Sequence, residues 1–343
     1  MRIGKKIISQ NKSLYIIAEI GINHNGSIKN AFKMIDYAKD AGCDAVKFQT
    51  YCIDKLLKKK TKLIKYQKSS NFNNMYELLK KNNLTYEEFY KLKTYCKKKK
   101  INFLSTPFDL ESADFLFKLN IDAFKVSSGD FDNFIMLDHL KKYHKPIILS
   151  CGMSENNEII KTLNIFSKYR SKISLLHCIS DYPTELKDTQ LNQINFLKKF
   201  KIPIGFSDHT VGNIASTIAV AFNACIIEKH ITLDTKLDGP DHKCSLPCDD
   251  LKEFVSNLRI IKKSLINKKR YLTHEEKNTK RIARKTLYFS KNLKKNHKIL
   301  LADIIALRPR NNGLSPSNYK FFLNKKITRS TKRFQIISRK DFK

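Results

Sequence analysis

Apolar runs of four to seven residues alternate with amphipathic stretches over the first three quarters of the chain. The first run ends at a turn with two glycines, and the pattern predicts an amphipathic helix after it, over about residues 28–41. The same order of strand, turn and helix recurs, and we count eight such units. The predicted strands cover residues 14–20, 45–49, 102–106, 123–126, 146–150, 173–178, 204–207 and 226–230.

This alternation predicts an α/β protein with a parallel sheet, because parallel strands need a crossover connection. Eight units in about 250 residues favour a closed (β/α)8 barrel, a TIM barrel, over an open doubly wound sheet. An open sheet would usually carry a glycine-rich phosphate turn after its first strand. The turn at residues 21–26 has its glycines at the wrong spacing for that fingerprint.

The sequence changes character after the eighth unit. Residues 263–283 form a basic stretch, which we interpret as a linker between a catalytic domain over residues 1–262 and a second domain over residues 284–343. In that second domain, short β-like runs are separated by proline and glycine, which predicts a small β-rich fold. The runs lie at residues 286–289, 304–307 and 335–338.

The formal net charge is +34, from 66 lysines and arginines against 32 aspartates and glutamates. Such a balance suits nucleic acid, an acidic membrane or anionic substrates. The basic residues stand in short lysine runs that we interpret as solvated helix faces, and no basic platform interleaved with aromatic residues is apparent. We therefore expect surface charge that attracts phosphorylated substrates, and no nucleic-acid partner. A basic nucleic-acid-binding protein is the alternative from a different class.

The eight cysteines are scattered, several of them lie within apolar runs, and none forms a Cys-x-x-Cys pair. This distribution indicates reduced thiols rather than a disulfide framework or a zinc ribbon. No run approaches the roughly 18 apolar residues that a membrane span needs, and the N-terminus lacks the apolar core of a signal peptide. We expect a cytoplasmic protein without a membrane partner.

Polar side chains gather at or just beyond the ends of the predicted strands. In a barrel the carboxyl ends of all strands meet at one mouth, where the chemistry of this fold takes place. Because so many polar residues fall at strand ends, they predict a single site. They are Glu19, Lys47, Gln49, Thr106, Lys125, Ser128, Ser150, His177, Tyr182, Ser207, His209, Glu228 and His230.

His209 and His230 end consecutive predicted strands, so their side chains would start roughly 5 Å apart across neighbouring strands and would share one metal ion. Two imidazoles with no cysteine nearby suit a divalent ion that keeps positions for water and substrate. The alternative is that each histidine caps a strand or bonds a loop backbone. Their pairing at one mouth favours the metal.

Lys47 and Lys125 lie between apolar neighbours within their strands, and a buried ammonium needs a partner. Together with nearby hydroxyls, they predict an anionic ligand that carries phosphate or carboxylate. A structural Lys–Glu pair within the barrel is the alternative. The main chemical rival is Lys125 as a Schiff-base nucleophile, although the histidine pair favours metal catalysis.

Three carboxylates, Glu19, Glu228 and Asp241, are predicted close to this site. They would orient a sugar hydroxyl, act as bases or pair with the lysines. Spacing alone does not assign these roles.

Seven segments carry recognisable motifs, namely IAEIGINHNG at 17–26, VKFQT at 46–50, LSTPF at 104–108, KVSSG at 125–129, LHC at 176–178, SDHT at 207–210 and GPDH at 239–242. In this order they resemble the sialic acid synthases, a family of N-acetylneuraminate and related nonulosonate synthases. Residues 284–343, which include Leu307-Arg308-Pro309, resemble the antifreeze-like (SAF) domain that follows the barrel in that family.

The resemblance implies a reaction. Phosphoenolpyruvate would condense with the open-chain aldehyde of an N-acetylmannosamine-type sugar, release phosphate and form a nine-carbon 2-keto acid. His209 and His230 would bind a divalent metal, most simply manganese, with magnesium or cobalt as alternatives. Glu228 would deprotonate the water that supplies the new C2 oxygen.

The resemblance also implies roles by position. One set of residues would hold phosphoenolpyruvate: Lys47, Thr106, Lys125, Ser128, Ser150 and Ser207. A second set would line the sugar side: Glu19, Gln49, Tyr182 and Asp241. Arg308 would reach from the small domain into the barrel of a second subunit, which implies a domain-swapped homodimer.

Two departures from the family pattern leave assignments open. The insert at residues 69–74 lacks Pro-Gly-Asn, so Asn71 is only a candidate for the asparagine that contacts the sugar. Arg310 follows Arg308 closely and competes with it for the reaching role. Because the motifs are shared among acceptor types, we expect an N-acetylneuraminate synthase type first, with N,N'-diacetyllegionaminate or pseudaminate synthase as alternatives.

Overall fold

The computed structural model describes residues 1–10, 14–64, 67, 72–266 and 269–343. The chain divides into two compact units, residues 1–266 and residues 267–343. The first unit is a closed parallel barrel with helices around it, which confirms the predicted (β/α)8 fold. Within the described residues, no helix has the length and apolar character needed to cross a membrane.

A short antiparallel hairpin, β1 (Arg2–Ile3) and β2 (Lys6–Ile7), precedes the barrel. Each barrel strand pairs in parallel with the next, and the last strand pairs with the first. The barrel strands are β3 (Tyr15–Gly21), β4 (Ala45–Thr50), β5 (Asn102–Pro107), β6 (Phe124–Val126), β7 (Ile147–Ser150), β8 (Ile173–His177), β9 (Ile204–Asp208) and β10 (Ile226–Thr232). A further strand, β11 (Leu246–Pro247), pairs with β10. The predicted strands therefore lie within one or two residues of the observed ones.

Helices connect the strands, and polar caps fix where several of them begin. Thr85 and Glu88 form a reciprocal capping box at the start of α4, and Asp109 caps α5. The helices of the first unit are α1 (Ile28–Asp40), α2 (Ile53–Leu56), α3 (Met75–Lys81), α4 (Tyr86–Lys99), α5 (Leu110–Lys118), α6 (Phe134–Lys141), α7 (Asn156–Ile165), α8 (Gln193–Leu197), α9 (Ile214–Ala221) and α10 (Leu251–Leu265).

Successive strand residues face opposite sides of the barrel wall. On β3, Ile16 and Ala18 face the helices and belong to the large core between the two layers. Tyr15 and Ile17 face inward and belong to a second apolar cluster, which fills the amino-terminal half of the barrel interior. Glu19 is the next inward position. The interior therefore changes from apolar to polar toward the carboxyl ends of the strands.

The second unit consists of α11 (His274–Ala283) and a small β structure around the antiparallel pair β12 (Thr286–Phe289) and β13 (Ile304–Leu307). The stretch predicted as a linker therefore contains α11. The run at residues 335–338 does not form a strand, because its ladder is limited to one bridge between Ile336 and Tyr288. A separate apolar core holds the unit together: Leu287, Phe289, Leu293, Ile299, Phe322, Ile327 and Ile337.

Candidate active site

A cavity of about 390 Å³ opens at the carboxyl ends of the barrel strands. Its size falls within the range of small-molecule sites. The predicted residues that line it are Lys47, Gln49, Thr106, Lys125, Ser128, Ser150, Tyr182, Ser207, His209, Glu228, His230 and Asp241. Most of them occupy inward-facing positions on the strands, and Glu19 lies against Lys47 in the same interior.

Several residues from the sequence analysis do not line this cavity. His177 faces the helix layer, where its Nε2 atom lies 2.7 Å from the carbonyl oxygen of Thr189. Asn71 lies outside the described residues. Arg308 belongs to the second unit, where its side chain is exposed.

Lys47 is buried and is surrounded by acceptors. Its Nζ atom lies 3.0 Å from Glu19 Oε2 and 3.6 Å from Glu228 Oε1, and it donates a hydrogen bond to Thr106 Oγ1 at 3.3 Å. The Lys–Glu pairing considered as an alternative is therefore present. Because it stands within the cavity, it also holds a cation where an anionic ligand would enter.

Lys125 is also buried but has fewer charged partners. Its Nζ atom donates to Ser150 Oγ at 2.6 Å and to the carbonyl oxygen of Val126 at 3.1 Å. Its nearest carboxylate oxygen, Glu228 Oε1, lies 3.7 Å away. Burial lowers the pKa of Lys125 although Glu228 acts in the opposite direction. The ammonium is thus incompletely compensated, which suits a ligand that brings negative charge.

The two inward carboxylates differ in protonation. Burial raises the pKa of Glu19 to about 8, although Lys47 opposes that shift. Burial also acts to raise the pKa of Glu228, but Lys125, Lys47 and the Ser207 hydroxyl outweigh it and hold this pKa below its usual value. The lysines thus favour the ionised form of Glu228, whereas burial favours the protonated form of Glu19.

His209 and His230 meet as predicted, with ring centroids 5.6 Å apart. The Nδ1 atom of His209 donates to the carbonyl oxygen of Ile179 at 2.5 Å, so the lone pair is on its Nε2 atom, 3.4 Å from Ser207 Oγ. Burial lowers the pKa of His209 to about 4, and burial with the neighbouring His209 lowers the pKa of His230 well below its usual value. Both imidazoles are therefore neutral.

This donor set fits a divalent cation. His230 Nδ1 is buried, has no hydrogen-bond partner in the described part of the chain and lies 3.8 Å from Asp241 Oδ2. The described residues contain no cluster of three or more His, Cys, Asp or Glu side chains arranged for a metal. Two neutral imidazoles would therefore leave several coordination positions to water and substrate.

Hydroxyl groups and one backbone amide line the side of the cavity next to Lys125. Ser128 Oγ accepts a hydrogen bond from the Gly152 amide at 3.0 Å and lies 3.2 Å from Cys178 Sγ. A side chain at Gly152 would collide with these groups, because its Cβ would lie 2.6 Å from Ser180 Oγ. Cys178 and Ser180 were missed by the sequence analysis. Cys178 follows His177, and only the observed alternation assigns the inward position to the thiol.

Tyr182 and Asp241 stand beside the histidines. The ring of Tyr182 stacks on His209, with centroids 4.1 Å apart. Burial raises the pKa of Asp241 to about 6. This side of the cavity therefore offers an aromatic face and a carboxyl group, which suit a polyhydroxylated ligand.

One wall of the cavity is apolar, and the sequence analysis did not identify it. We call it the apolar wall, and it consists of Leu56, Leu57, Ile64, Met75 and Leu79. All five belong to the segment between β4 and α4. Lys47 and Lys125 are the only cations that line the cavity within the described residues. The signal in the sequence was the group of apolar residues within this lysine-rich insert.

Residues 34–270 match the NeuB family. The N,N'-diacetyllegionaminic acid synthase of Campylobacter jejuni is 39% identical to this chain over 332 residues, which cover 95% of this chain and 99% of the relative. The pseudaminic acid synthase of the same organism is 34% identical over 349 residues, which cover 100% of both chains.

Among solved structures, the N-acetylneuraminic acid (sialic acid) synthetase from Leptospira borgpetersenii is similar, with a TM-score of 0.74 and 34% identity. The match covers 81% of this chain and 94% of that chain. These relatives are thus named for three different sugar-acid products.

Proposed function

Because this chain belongs to the NeuB family of sugar-acid synthases, we propose that it condenses phosphoenolpyruvate with the open-chain aldehyde of an N-acylated mannosamine-type sugar. C3 of phosphoenolpyruvate forms a bond to the aldehyde carbon, water adds to C2, and phosphate leaves. The product is a nine-carbon 2-keto acid, as in N-acetylneuraminate synthesis.

The observation that carries this proposal is the inward cluster of Lys47, Lys125, Glu19 and Glu228. Lys125 has no carboxylate closer than 3.7 Å, and the hydroxyls of Ser128 and Ser150 stand beside it. These groups would bind the phosphate and carboxylate of phosphoenolpyruvate by charge-assisted hydrogen bonds. Glu228 is ionised and its Oε2 atom has no hydrogen-bond partner among the described residues, so it would accept the proton of the attacking water.

His209 and His230 would hold a divalent cation, manganese first and magnesium or cobalt as alternatives. When bound, the cation would supply Lewis-acid polarisation of the aldehyde oxygen. Tyr182, Gln49 and Asp241 would orient the hydroxyls of the sugar, and Glu19, 3.0 Å from the Lys47 ammonium, would keep Lys47 in place.

A second candidate for the acceptor is a diacetamido 6-deoxy sugar, which would make the enzyme an N,N'-diacetyllegionaminate or pseudaminate synthase. The apolar wall favours this candidate, because a methyl group and a second acetyl group bury apolar surface that a hydroxymethyl or phosphate group does not. The described cavity lining also lacks a cation besides the two lysines on the strands.

A panel of acceptors tests both candidates. Phosphate release from phosphoenolpyruvate would be measured with N-acetylmannosamine, its 6-phosphate and 2,4-diacetamido-2,4,6-trideoxy sugars, and the product would be identified by its mass. We expect release only with metal and acceptor present, and the highest kcat/KM with a diacetamido sugar. Leu79→Asn should reduce that preference by about 10-fold. Absence of release with every sugar and common divalent ion would refute the synthase proposal.

The functional unit would be a domain-swapped homodimer in which Arg308, or Arg310 in its place, enters the cavity of the partner. Exposed apolar side chains on the rim of the barrel mouth support a covering partner: Leu110, Ile135, Met153, Leu186, Val211 and Ile214.

Subunit mixing tests the swap. Lys125→Met and Arg308→Ala chains should each be inactive, and a mixed dimer should regain one intact site, which gives about a quarter of wild-type activity after random exchange. Without a swap, both sites of the mixed dimer carry a defect and the mixture stays inactive. Arg310→Ala in place of Arg308→Ala identifies the arginine that is used.

A further inference from the structure

The charge of the chain is concentrated in the second unit. Residues 267–343 contain 23 lysines and arginines and four aspartates and glutamates, a net charge of +19, whereas residues 1–266 carry +15. A general preference for lysine would affect both units alike. The second unit holds more than half of the net charge in less than a quarter of the residues, so a cause specific to that unit is required.

Two of the four carboxylates of this unit are withdrawn from its surface, and the other two, Glu275 and Glu276, stand in the first turn of α11. Asp303 and Asp341 are fully buried and pair with Lys291 and Arg329. Glu276 accepts from the backbone at the start of α11. The described surface of the unit is therefore almost without negative charge, and its exposed cations repel one another.

Three exposed lysines stand side by side on adjacent extended segments. Lys298 and Lys326 face each other across a bridge, and the carbonyl oxygen of Lys326 accepts the amide of Lys343 at 3.3 Å. Cross-strand neighbours project their side chains to the same face, and like charges directly opposite are destabilising. Such a row lowers stability unless an anionic partner covers it.

Exposed aromatic rings stand beside other cations of the same unit. The Phe321 side chain is 52% exposed, with Lys325 Nζ 3.6 Å from its ring centroid and the Arg339 guanidinium 5.7 Å from it. Phe334 repeats the arrangement, since it is 49% exposed and Arg333 lies 4.5 Å from its centroid. The sequence analysis did not identify these two exposed rings with cations beside them.

We propose that the second unit binds single-stranded nucleic acid through two groups of residues, which together we call the basic aromatic surface: the row of Lys298, Lys326 and Lys343, and Phe321 with Lys325 and Arg339. A base would stack on the open face of the Phe321 ring, and the phosphates on either side would contact the neighbouring cations. This activity is independent of the proposed synthase reaction.

An anionic membrane is the competing partner for exposed phenylalanines among lysines. A ring that anchors in a bilayer must enter the apolar layer, which would draw the Lys325 ammonium over its face into the same layer. A base that stacks on the ring leaves that ammonium beside a phosphate. The geometry therefore favours nucleic acid.

The test measures fluorescence anisotropy of labelled 20-nucleotide oligo(U) and oligo(dT) with the full-length protein. If the five cations of the surface each contact a phosphate, log Kd should change with log salt by a slope of about 3.5, which weakens binding about 100-fold between 50 and 200 mM salt. The comparison of oligo(U) with oligo(dT) shows whether RNA or DNA is preferred. Binding of neither would overturn the proposal.

Matched variants distinguish binding at this surface from attraction by the net charge of the chain. The triple variant K298E/K326E/R339E should weaken binding at least about 30-fold and flatten the salt slope. The control K98E/K161E/K168E makes the same change in net charge at exposed lysines of the first unit and should weaken binding less than about 3-fold.

A stacking variant and a membrane control complete the test. Phe321→Ala should weaken binding about 10-fold with the salt slope unchanged, because stacking carries no charge. Circular dichroism and thermal unfolding verify that each variant is folded. Equal losses in the two triple variants, or binding to phosphatidylglycerol vesicles without binding to oligonucleotides, would overturn the proposal.

Discussion

Two clusters of buried lysine and carboxylate groups lie on opposite faces of the barrel wall and share strand β10. On the inner face, Glu228 meets Lys47 and Lys125 at the mouth of the barrel. On the outer face, Lys229 meets Asp208 at 3.2 Å, in the layer between strands and helices. Glu228 and Lys229 are sequence neighbours and are both almost completely buried.

The two clusters differ in how well their polar atoms are paired. Asp208 also accepts from Thr210 and Ser216, and Lys229 Nζ donates to the carbonyl oxygen of Thr210 at 2.5 Å. On the inner face, Glu19 Oε1, Glu228 Oε2 and His230 Nδ1 have no hydrogen-bond partner among the described residues.

An unpaired buried polar group costs about 1–3 kcal/mol. The unpaired atoms of the inner cluster can therefore bind a ligand, whereas the polar atoms of the outer cluster already have partners. Residue type alone does not separate a binding site from a structural ion pair. Pairing does.

The largest expected effect is that of Lys125→Met on catalysis. We expect kcat/KM to fall at least about 1,000-fold, since the variant loses the buried cation that, under the proposed function, would contact the anionic donor. The free energy of unfolding should change by less than about 1 kcal/mol, because Glu228 keeps Lys47 as a partner. Phosphate release and urea unfolding measure the two quantities. A large loss of stability would show that Lys125 has a structural role like that of Lys229, and would contradict the difference between the two clusters.

Lys229→Met should show the opposite pattern. The variant leaves the Asp208 carboxylate buried without its cation, which should lower the free energy of unfolding by about 3–5 kcal/mol. The kcat/KM of the folded fraction should stay within about 3-fold of wild type, because Lys229 faces away from the cavity. Urea unfolding and assays at a temperature where the variant is folded measure both. Loss of activity at full folding would contradict a purely structural role.

Removal of both outer partners sharpens the comparison further. In Asp208→Asn/Lys229→Met no buried charge remains uncompensated, so about 1–3 kcal/mol of the loss should be recovered relative to Lys229→Met. The corresponding inner variant, Glu228→Gln/Lys125→Met, should recover no activity over either single variant. A double-mutant cycle of unfolding free energies gives the coupling, and strictly additive losses would argue against a pair.

The smallest effect concerns a third buried carboxylate, Asp303 in the second unit. Burial acts to raise its pKa, but Lys291, the Leu300 amide and His297 outweigh burial and lower the pKa to about 2. Its stabilising contribution is therefore full above the unfolded pKa near 4 and is lost as the pH falls toward 2, by the order of 2 kcal/mol. Asp303→Asn should remove this pH dependence. Thermal unfolding between pH 2 and 5 measures it, and an unchanged acid profile in the variant would exclude Asp303 as its source.

The strand ends could be predicted from sequence because polar residues interrupt apolar runs there. The face of each residue could not, because the strands of a parallel barrel are buried on both sides and lack an alternating pattern. His177 and Cys178 illustrate this limit, since the sequence favoured the histidine and the structure turns the thiol inward. Lys229 was overlooked for the same reason.

Features that depend on tertiary placement could not be predicted from the sequence. Phe321 and Phe322 are adjacent, yet one is 52% exposed and the other is fully buried in the core of the second unit. The apolar wall likewise comes from residues without regular spacing, so that neither a helical nor a strand period identified it.

The apolar wall has a consequence for how such enzymes diverge. It comes from one continuous segment between β4 and α4, whereas the lysines, hydroxyls and histidines come from many strands. Under the proposed function, a single recombination or short insertion in the corresponding stretch of the gene would therefore change the part of the cavity that meets the acceptor and leave the donor chemistry intact. Acceptor choice can thus evolve as a module, independently of the barrel that performs the reaction.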